Sequence, residues 1–368
     1  MPHLLAPGMA VPWFQARALD GNPRYVFDTA AGRWILMLLM GSGAREPQRE
    51  ALQLVQQNRD LFDDEQACFF GVTVDPSDAS EGRIARQLPG IRWFLDYDGA
   101  ISTLLGAAEA DGGAVHYAPH WLLLDPMLRV RGIAPLRGGA EIIAELRRLV
   151  GQSAEPEIAP VLVVPEVFPP ELCRQLIGLY ERHGGAESGF MREENGLTVR
   201  KLDPHQKRRA DYQLQDEPLM AALNARLFHA LMPMIRRAFQ FEATRIERFI
   251  VACYDAEEGG HFRAHRDNTT KGTAHRKFAC TINLNSEDYE GGDLCFPEFG
   301  RRRYRASTGG AVVFSCSLLH EAAPVTRGRR YAFLPFFYDD ESAQVRERNQ
   351  SYLAPEPEDA APMDMSAA

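Results

Sequence analysis

Long apolar runs are missing from this 368-residue chain: the longest, at 34–40, falls far short of the roughly 20 residues that a membrane-spanning helix needs. The N-terminus also lacks the basic-then-apolar order of a secretory leader, so the chain reads as cytoplasmic, with no membrane partner. Clustered cysteines are missing too. Cys68, Cys173, Cys253, Cys280, Cys295 and Cys316 are widely spaced and mostly sit beside apolar residues, the habit of buried thiols in a reducing compartment rather than of a disulfide framework. Basic residues are in deficit, 41 Lys and Arg against 50 Asp and Glu, and the resulting net charge of -9 speaks against nucleic acid as the main partner. The sequence shows no repeat array.

What is present is the composition of a soluble globular protein, 45% hydrophobic and 25% charged, in a chain longer than one core usually serves. Two domains are the expectation. Small, polar and proline residues at 151–160 mark a linker, which places domains at 1–152 and 158–340, followed by a structureless tail at 341–368. In the first domain, apolar strands at 34–40, 68–74 and 121–125 alternate with helical stretches at 45–62 and 140–150, the pattern of an α/β sheet with helical layers. In the second, helices at 169–183 and 218–239 precede strands at 247–254, 277–285, 293–296, 311–316 and 330–338. That order implies an α+β domain, a helix-backed double-sheet barrel. Local basic clusters, Lys207-Arg208-Arg209, Arg301-Arg302-Arg303 with Arg305, and Arg327 with Arg329-Arg330, read either as solvated loops or as a surface for an anionic partner.

The sharpest chemistry lies at His265-Arg266-Asp267. In an extended backbone, residues two apart project from one face, so His265 and Asp267 can converge on one ion while Arg266 points away. His320 follows after three further strand-like runs, and a barrel can return it beside the pair. Two imidazoles and a carboxylate on one face of an octahedral ion suit non-haem Fe(II) and leave positions open. Arg330 opens the last strand on a face shared with Ala332 and Leu334, which favours an inward guanidinium in need of a carboxylate. Two other readings stand beside this one. A structural zinc site would use His261, His265 and His275, although Gly259-Gly260 opposes the helix it needs. The other keeps the fold and drops catalysis, making the chain a binding scaffold.

Residues 7–150 resemble the peroxiredoxin family of the thioredoxin fold. The resemblance rests on the order of Pro7-Gly8-Met9-Ala10-Val11-Pro12-Trp13-Phe14, the strand at 34–40, Gly71-Val72-Thr73-Val74-Asp75, the segment 94–99 and Pro119-His120-Trp121. That family places its peroxidatic cysteine where this chain reads Gly41-Ser42-Gly43-Ala44-Arg45, and no cysteine precedes Cys68. A serine hydroxyl lacks sulfur's oxidation ladder, so the domain is expected to be redox-inert and to dock, dimerise or present a substrate. Pro119 takes the place of the fold's cis-proline.

Residues 161–339 resemble the prolyl 4-hydroxylase family of 2-oxoglutarate oxygenases. The matching pieces are Val251-Ala252-Cys253-Tyr254, His265-x-Asp267-Asn268, Leu284-Asn285 followed by Gly291-Gly292, and His320 with Pro324-Val325, Gly328 and Arg330. The resemblance implies a double-stranded β-helix (jelly-roll). It implies iron on His265, Asp267 and His320, with 2-oxoglutarate and O2 as co-substrates and ascorbate as reductant. Arg330 would pair with the distal carboxylate of 2-oxoglutarate and Tyr254 would line its pocket. Asn283 stands where relatives often have a second tyrosine, and Thr281 and Asn283 share a face from which either can donate. The implied reaction is hydroxylation of an unactivated C–H, on a prolyl residue of a protein or peptide, or alternatively on a free amino acid or other small molecule. The intact Asp267 opposes a halogenase. Lys201, Lys207, Arg208 and Arg209 within 197–212, and the arginines at 301–305, are expected to face substrate.

Overall fold

In a computed structural model of the chain, the apolar run Trp34–Gly41 is the middle strand of a five-stranded sheet. The structure describes residues 5–111, 114–152 and 157–355, so much of the expected linker and the end of the expected tail lie outside the described residues. Spatial clustering gives two units, Met1–Ile158 with Phe296–Arg302, and Ala159–Cys295 with Arg303–Ala368.

The sheet of the first unit runs in the order Ile91–Leu95, Ala67–Thr73, Trp34–Gly41, His120–Leu124, Val130–Pro135. The first three strands are parallel and the last two antiparallel to their neighbours. Alternation explains the unbroken hydrophobicity of the middle strand. Leu36, Leu38 and Met40 meet Ala51 and Val55 of helix Glu46–Gln57 and Ile142 and Leu146 of helix Gly139–Val150. Elsewhere in the unit, Phe70 and Phe94 stack on each other and join Phe14, Phe27 and Tyr25. With both faces covered, no position calls for a polar residue. Gly71 is required by close approach, since a Cβ there would sit 2.0 Å from the Trp93 ring. Two strands escaped the sequence reading. Ile91–Leu95 is interrupted by Arg92, which pairs with Asp64, and Val130–Pro135 is an edge strand with a weak apolar face.

The second unit carries a nine-stranded antiparallel sheet whose main path is Leu162–Val164, Ala311–Ser315, Phe278–Asn283, Arg329–Phe333, Ile250–Asp255, Ala210–Gln213, Ala186–Glu187. A five-stranded sheet runs Lys207–Arg208, His261–His265, His320–Ala322, Leu294–Cys295, Arg303–Tyr304. Leu176, Leu223, Leu227 and Ile235, from three helices, bury themselves against Val251, Ile282, Val313 and Phe333 of the larger sheet. The helix expected at 218–239 is two, Glu217–Ala230 and Met232–Phe239, with Pro233 in the first turn of the second, where its missing N–H costs nothing. The strand expected at 247–254 is broken at Arg248, a non-glycine residue in the left-handed region at φ 71°. Pro335 divides the strand expected at 330–338.

The tail corrects the sequence reading in part. Asp340–Arg348 is helical, capped by the Asp339 carboxylate, which accepts from Ser342 N at 2.7 Å. Only Ser342 of this helix is buried, so no apolar stripe announced it. Among the described residues, no helix is long and apolar enough to cross a membrane.

Candidate active site

His265 ends the strand His261–His265 directly opposite His320, the first residue of His320–Ala322, so strand pairing brings the two imidazoles together. Asp267 lies two residues on. Its Oδ1 is 3.5 Å from His265 Nε2 and its Oδ2 3.3 Å from His320 Nε2. One ligand atom from each residue falls within 4.8 Å of the others, and this is a group that can hold a metal ion. The second ring nitrogens are committed elsewhere: His265 Nδ1 is 2.8 Å from Arg263 O and His320 Nδ1 is 3.0 Å from Leu318 O. An Nδ1–H donated to a carbonyl leaves the Nε2 lone pair for a cation, the tautomer a ligand histidine needs. Burial pushes the His265 imidazole down to about 4, and His320 adds to the shift. Burial pushes the Asp267 carboxyl up, but the two imidazoles override it and hold the group well below the usual range. At neutral pH the set therefore presents an anionic carboxylate and an unprotonated His265. Phe262 stacks on His265 with ring centres 3.5 Å apart, and Phe314 lies against His320, so the cluster is walled by apolar rings.

The zinc reading fails on geometry. His261 is bound to Gly259 O and His205 O, and His275 Nε2 is 2.7 Å from Glu247 Oε2, so neither reaches His265's site.

Arg330 lies beside Tyr254 in the larger sheet and is only 2% exposed. Its Nη2 donates to Thr281 Oγ1 at 3.1 Å, while Nε and Nη1 are buried without a partner. The guanidinium carbon is 5.1 Å from the centre of the Tyr254 ring. A buried cation with two idle donors is costly unless an anion completes it, and a planar guanidinium matches a carboxylate with two hydrogen bonds. Gly292, at φ 67°, keeps the space open, because a Cβ there would lie 3.1 Å from Arg330 Cδ and 2.9 Å from Val325. Asn283 is anchored through one hydrogen of its amide. Its Nδ2 donates to Ala306 O at 2.8 Å, and Thr281 is the one of the pair that meets Arg330.

The structure also assembles residues whose roles were hidden. Lys207, Arg209 and Asp211 alternate, and the structure buries all three side chains wholly or largely. Arg209 donates to Asp211 Oδ2 at 2.6 Å and to the Tyr254 hydroxyl at 3.3 Å. Lys207 donates to Ser188 Oγ and Gly189 O. Arg276 pairs with Glu247 at 2.6 Å, and its Nη1 reaches Asp267 O at 3.5 Å. The period-two alternation at 207–211 was a readable signal; nothing in the sequence joins Glu247 to Arg276. Other basic residues expected to face substrate are tied up elsewhere. Lys201 pairs with Glu194, Arg208 donates to Pro204 O and Glu258 O, and Arg305 pins Asp293 and three backbone carbonyls.

In the first unit, the turn at Gly41-Ser42-Gly43 is closed by carboxylates. Ser42 Oγ donates to Asp75 at 2.6 Å, and Gly43 N, Thr73 Oγ1 and Arg83 Nε all donate to the fully buried Asp78. Burial pushes the Cys68 thiol up to about 11. The bond before Pro119 is trans, unlike the fold's cis-proline; among the described residues the cis bond is Leu88–Pro89.

A PKHD-type hydroxylase of Nitrosomonas eutropha is 30% identical over 149 residues, covering 38% of this chain and 63% of that protein. A PKHD-type hydroxylase of Pseudomonas fluorescens is 38% identical over 112 residues, 28% of this chain and 47% of its own length. The chain thus spans about half the length of the curated relatives it matches. Among solved structures, a prolyl hydroxylase from Trichoplax adhaerens, in complex with a hypoxia inducible factor oxygen degradation domain peptide fragment, shares 17% identity over 50% of this chain and 86% of its own, with a TM-score of 0.38. Mycobacterium tuberculosis AhpC shares 19% identity over 41% of this chain and 97% of its own, with a TM-score of 0.34. Residues 249–338, which hold the triad and Arg330, match the family model of the 2OG-Fe(II) oxygenase superfamily, and the C-terminal part of the chain therefore carries a 2OG-Fe(II) oxygenase domain.

Proposed function

We propose that this domain is an Fe(II)- and 2-oxoglutarate-dependent hydroxylase of an unactivated C–H bond, acting on a prolyl residue of a peptide or protein. The observation that carries the reading is the pairing of a metal-competent triad with a buried arginine whose two idle nitrogens fit a carboxylate. His265, Asp267 and His320 would hold the iron, and Arg330 with Thr281 would hold the distal carboxylate of 2-oxoglutarate beside Tyr254. When bound, iron with 2-oxoglutarate and O2 supplies the oxidant that places one oxygen atom on the substrate carbon as the keto acid becomes succinate and CO2. The chain's own work is positional. Nδ1 hydrogen bonds fix the two imidazoles, Arg209 orients the Tyr254 hydroxyl, and Phe262 and Phe314 exclude water. A binding scaffold without catalysis would account for the idle nitrogens of Arg330 but gives no use to the triad beside it.

The prolyl substrate, the jelly-roll architecture and ascorbate as reductant belong to the same reading, supported by the motifs around His265 and His320. The N-terminal unit is proposed as a redox-inert docking or dimerising module of a cytoplasmic protein, on the closed turn at Ser42. Fe(II)-dependent succinate release that disappears in His265→Ala and Asp267→Ala is the expected result; equal turnover in wild type and both variants overturns it. Mass spectrometry of a peptide library incubated with the protein, Fe(II) and 2-oxoglutarate then names the substrate through the gain of one oxygen.

A further inference from the structure

Arg248 is the one residue of the cationic group around the triad that the described structure leaves without a hydrogen bond or ion pair. It occupies the left-handed break at φ 71° between Arg245–Glu247 and Ile250–Asp255, a conformation a bulky residue adopts only when its surroundings hold it there. Its guanidinium lies over the Phe336 ring at 4.4 Å, and Arg276 lies against the same ring at 4.2 Å. Arg276 in turn reaches the backbone carbonyl of Asp267. Arg248 therefore stands one aromatic ring away from an arginine that touches the triad.

The neighbouring cations are matched. Arg276 has Glu247, Arg209 has Asp211, and Lys207 is held by Ser188 and Gly189. Arg248 Nε is buried with no partner, and its direct contact is the π face of Phe336. Burial, then the like charges of Arg276 and Arg209, push it down to about 10, so it remains a cation at neutral pH. On the hydroxylase reading, iron(II), Asp267, Arg330 and dianionic 2-oxoglutarate balance one another in charge. Arg248 is the cation beside them with no direct partner among the described residues; the carboxylates of Asp211 and Glu247 act on it only from beyond ion-pair distance, and an anion that meets its guanidinium directly would be favoured.

We infer that the substrate of this site carries a carboxylate close to the C–H bond that reacts, and that Arg248 is the specificity residue that receives it. The inference rests on the hydroxylase reading and deepens it. The same carboxylate can belong to a free amino acid, to the C-terminus of a peptide, or to an acidic side chain next to the target residue.

Titration calorimetry on the full-length protein loaded with Mn(II) and 2-oxoglutarate tests this with matched pairs: L-proline and L-prolinamide, acetyl-Ala-Pro as acid and amide, and acetyl-Ala-Pro-Asp-amide with its Asn counterpart. The expected result is that the acid member of at least one pair binds about tenfold or more tightly than its amide partner. The pair that responds identifies the source of the carboxylate. Arg248→Gln removes the preference and Arg248→Lys retains part of it, whereas a merely structural Arg248 would alter the unfolding midpoint and leave the preference intact. If Arg248→Gln does not fold, the Arg248→Lys protein compared with wild type reads the same preference, reduced. No preference in any pair, through equal binding or through no binding, overturns the inference while the hydroxylase reading stands on 2-oxoglutarate binding. Absence of 2-oxoglutarate binding to the Mn(II)-loaded protein overturns both.

Discussion

The Arg330 guanidinium donates to the Thr281 hydroxyl at 3.1 Å and keeps two further nitrogens buried without partners. Arg330→Leu is therefore expected to raise the KM for 2-oxoglutarate by about 100-fold or more, the loss of a charge-assisted pair worth about 3 kcal/mol. Metal affinity should stay near the wild-type value. Without 2-oxoglutarate the variant should unfold at an equal or higher temperature than wild type, because an uncompensated buried charge has been removed. Steady-state kinetics and thermal scans read the two effects; a clear drop in the ligand-free midpoint would contradict the idle-donor account.

Metal binding should stabilise the fold through His265, Asp267 and His320. At a free Mn(II) concentration about 100 times its Kd, stability rises by about 2.7 kcal/mol. A chelator should reverse the shift, and His320→Ala should abolish it. A shift that persists in His320→Ala would place the ion elsewhere.

Glu247 predicts an acid-sensitive window. Burial pushes its carboxyl up, but the hydrogen bond from His275 and the charge of Arg276 outweigh burial and hold it far below the usual range. A depressed folded-state value means that the stabilisation is fully present above the unfolded carboxyl's pKa, about 4.3, and is lost as pH falls below it. Glu247→Gln should cost about 3 kcal/mol at neutral pH by stranding Arg276, and the difference from wild type should shrink below about pH 4. Denaturant titrations across pH 2–7 measure it; a constant difference would refute the assignment.

The buried pair of Arg209 and Asp211 should behave as a unit. Asp211→Leu alone leaves Arg209 without its carboxylate and should destabilise by about 3 kcal/mol, whereas Arg209→Met with Asp211→Leu should cost less. The double variant also removes the donor to Tyr254, so a modest rise in the KM for 2-oxoglutarate should accompany it. Additive losses in the cycle would show that the two residues act separately.

All six cysteines are free and buried. A thiol reagent should titrate none of them in the native protein and all six after denaturation, and peroxide should not be turned over. A sulfenic acid formed at Cys68 under native conditions would restore a redox role to the first unit.

The i, i+2 spacing singled out His265 and Asp267 in the sequence, but the strand ends at His265, and Asp267 reaches both imidazoles from the turn that follows, a geometry that strand alternation does not provide. Elements were legible wherever burial wrote an apolar pattern, as at Trp34–Gly41 of the first unit. Local pattern failed where partners are polar or distant. The helix Asp340–Arg348 is held by a cap, the ion pair of Asp340 with Arg245 and a hydrogen bond from Arg346 to the Tyr338 hydroxyl rather than by an apolar stripe. Asn283 was read from its face, yet its amide is claimed by Ala306, a residue in another loop. Above all, the pairing of Glu247 with Arg276 and the isolation of Arg248 depend on which charges the folded chain brings within a few ångströms. A sequence determines which residues can ionise and which face of a strand they occupy; only the tertiary structure decides which charges are neutralised, because desolvation and Coulomb energies depend on distances through space.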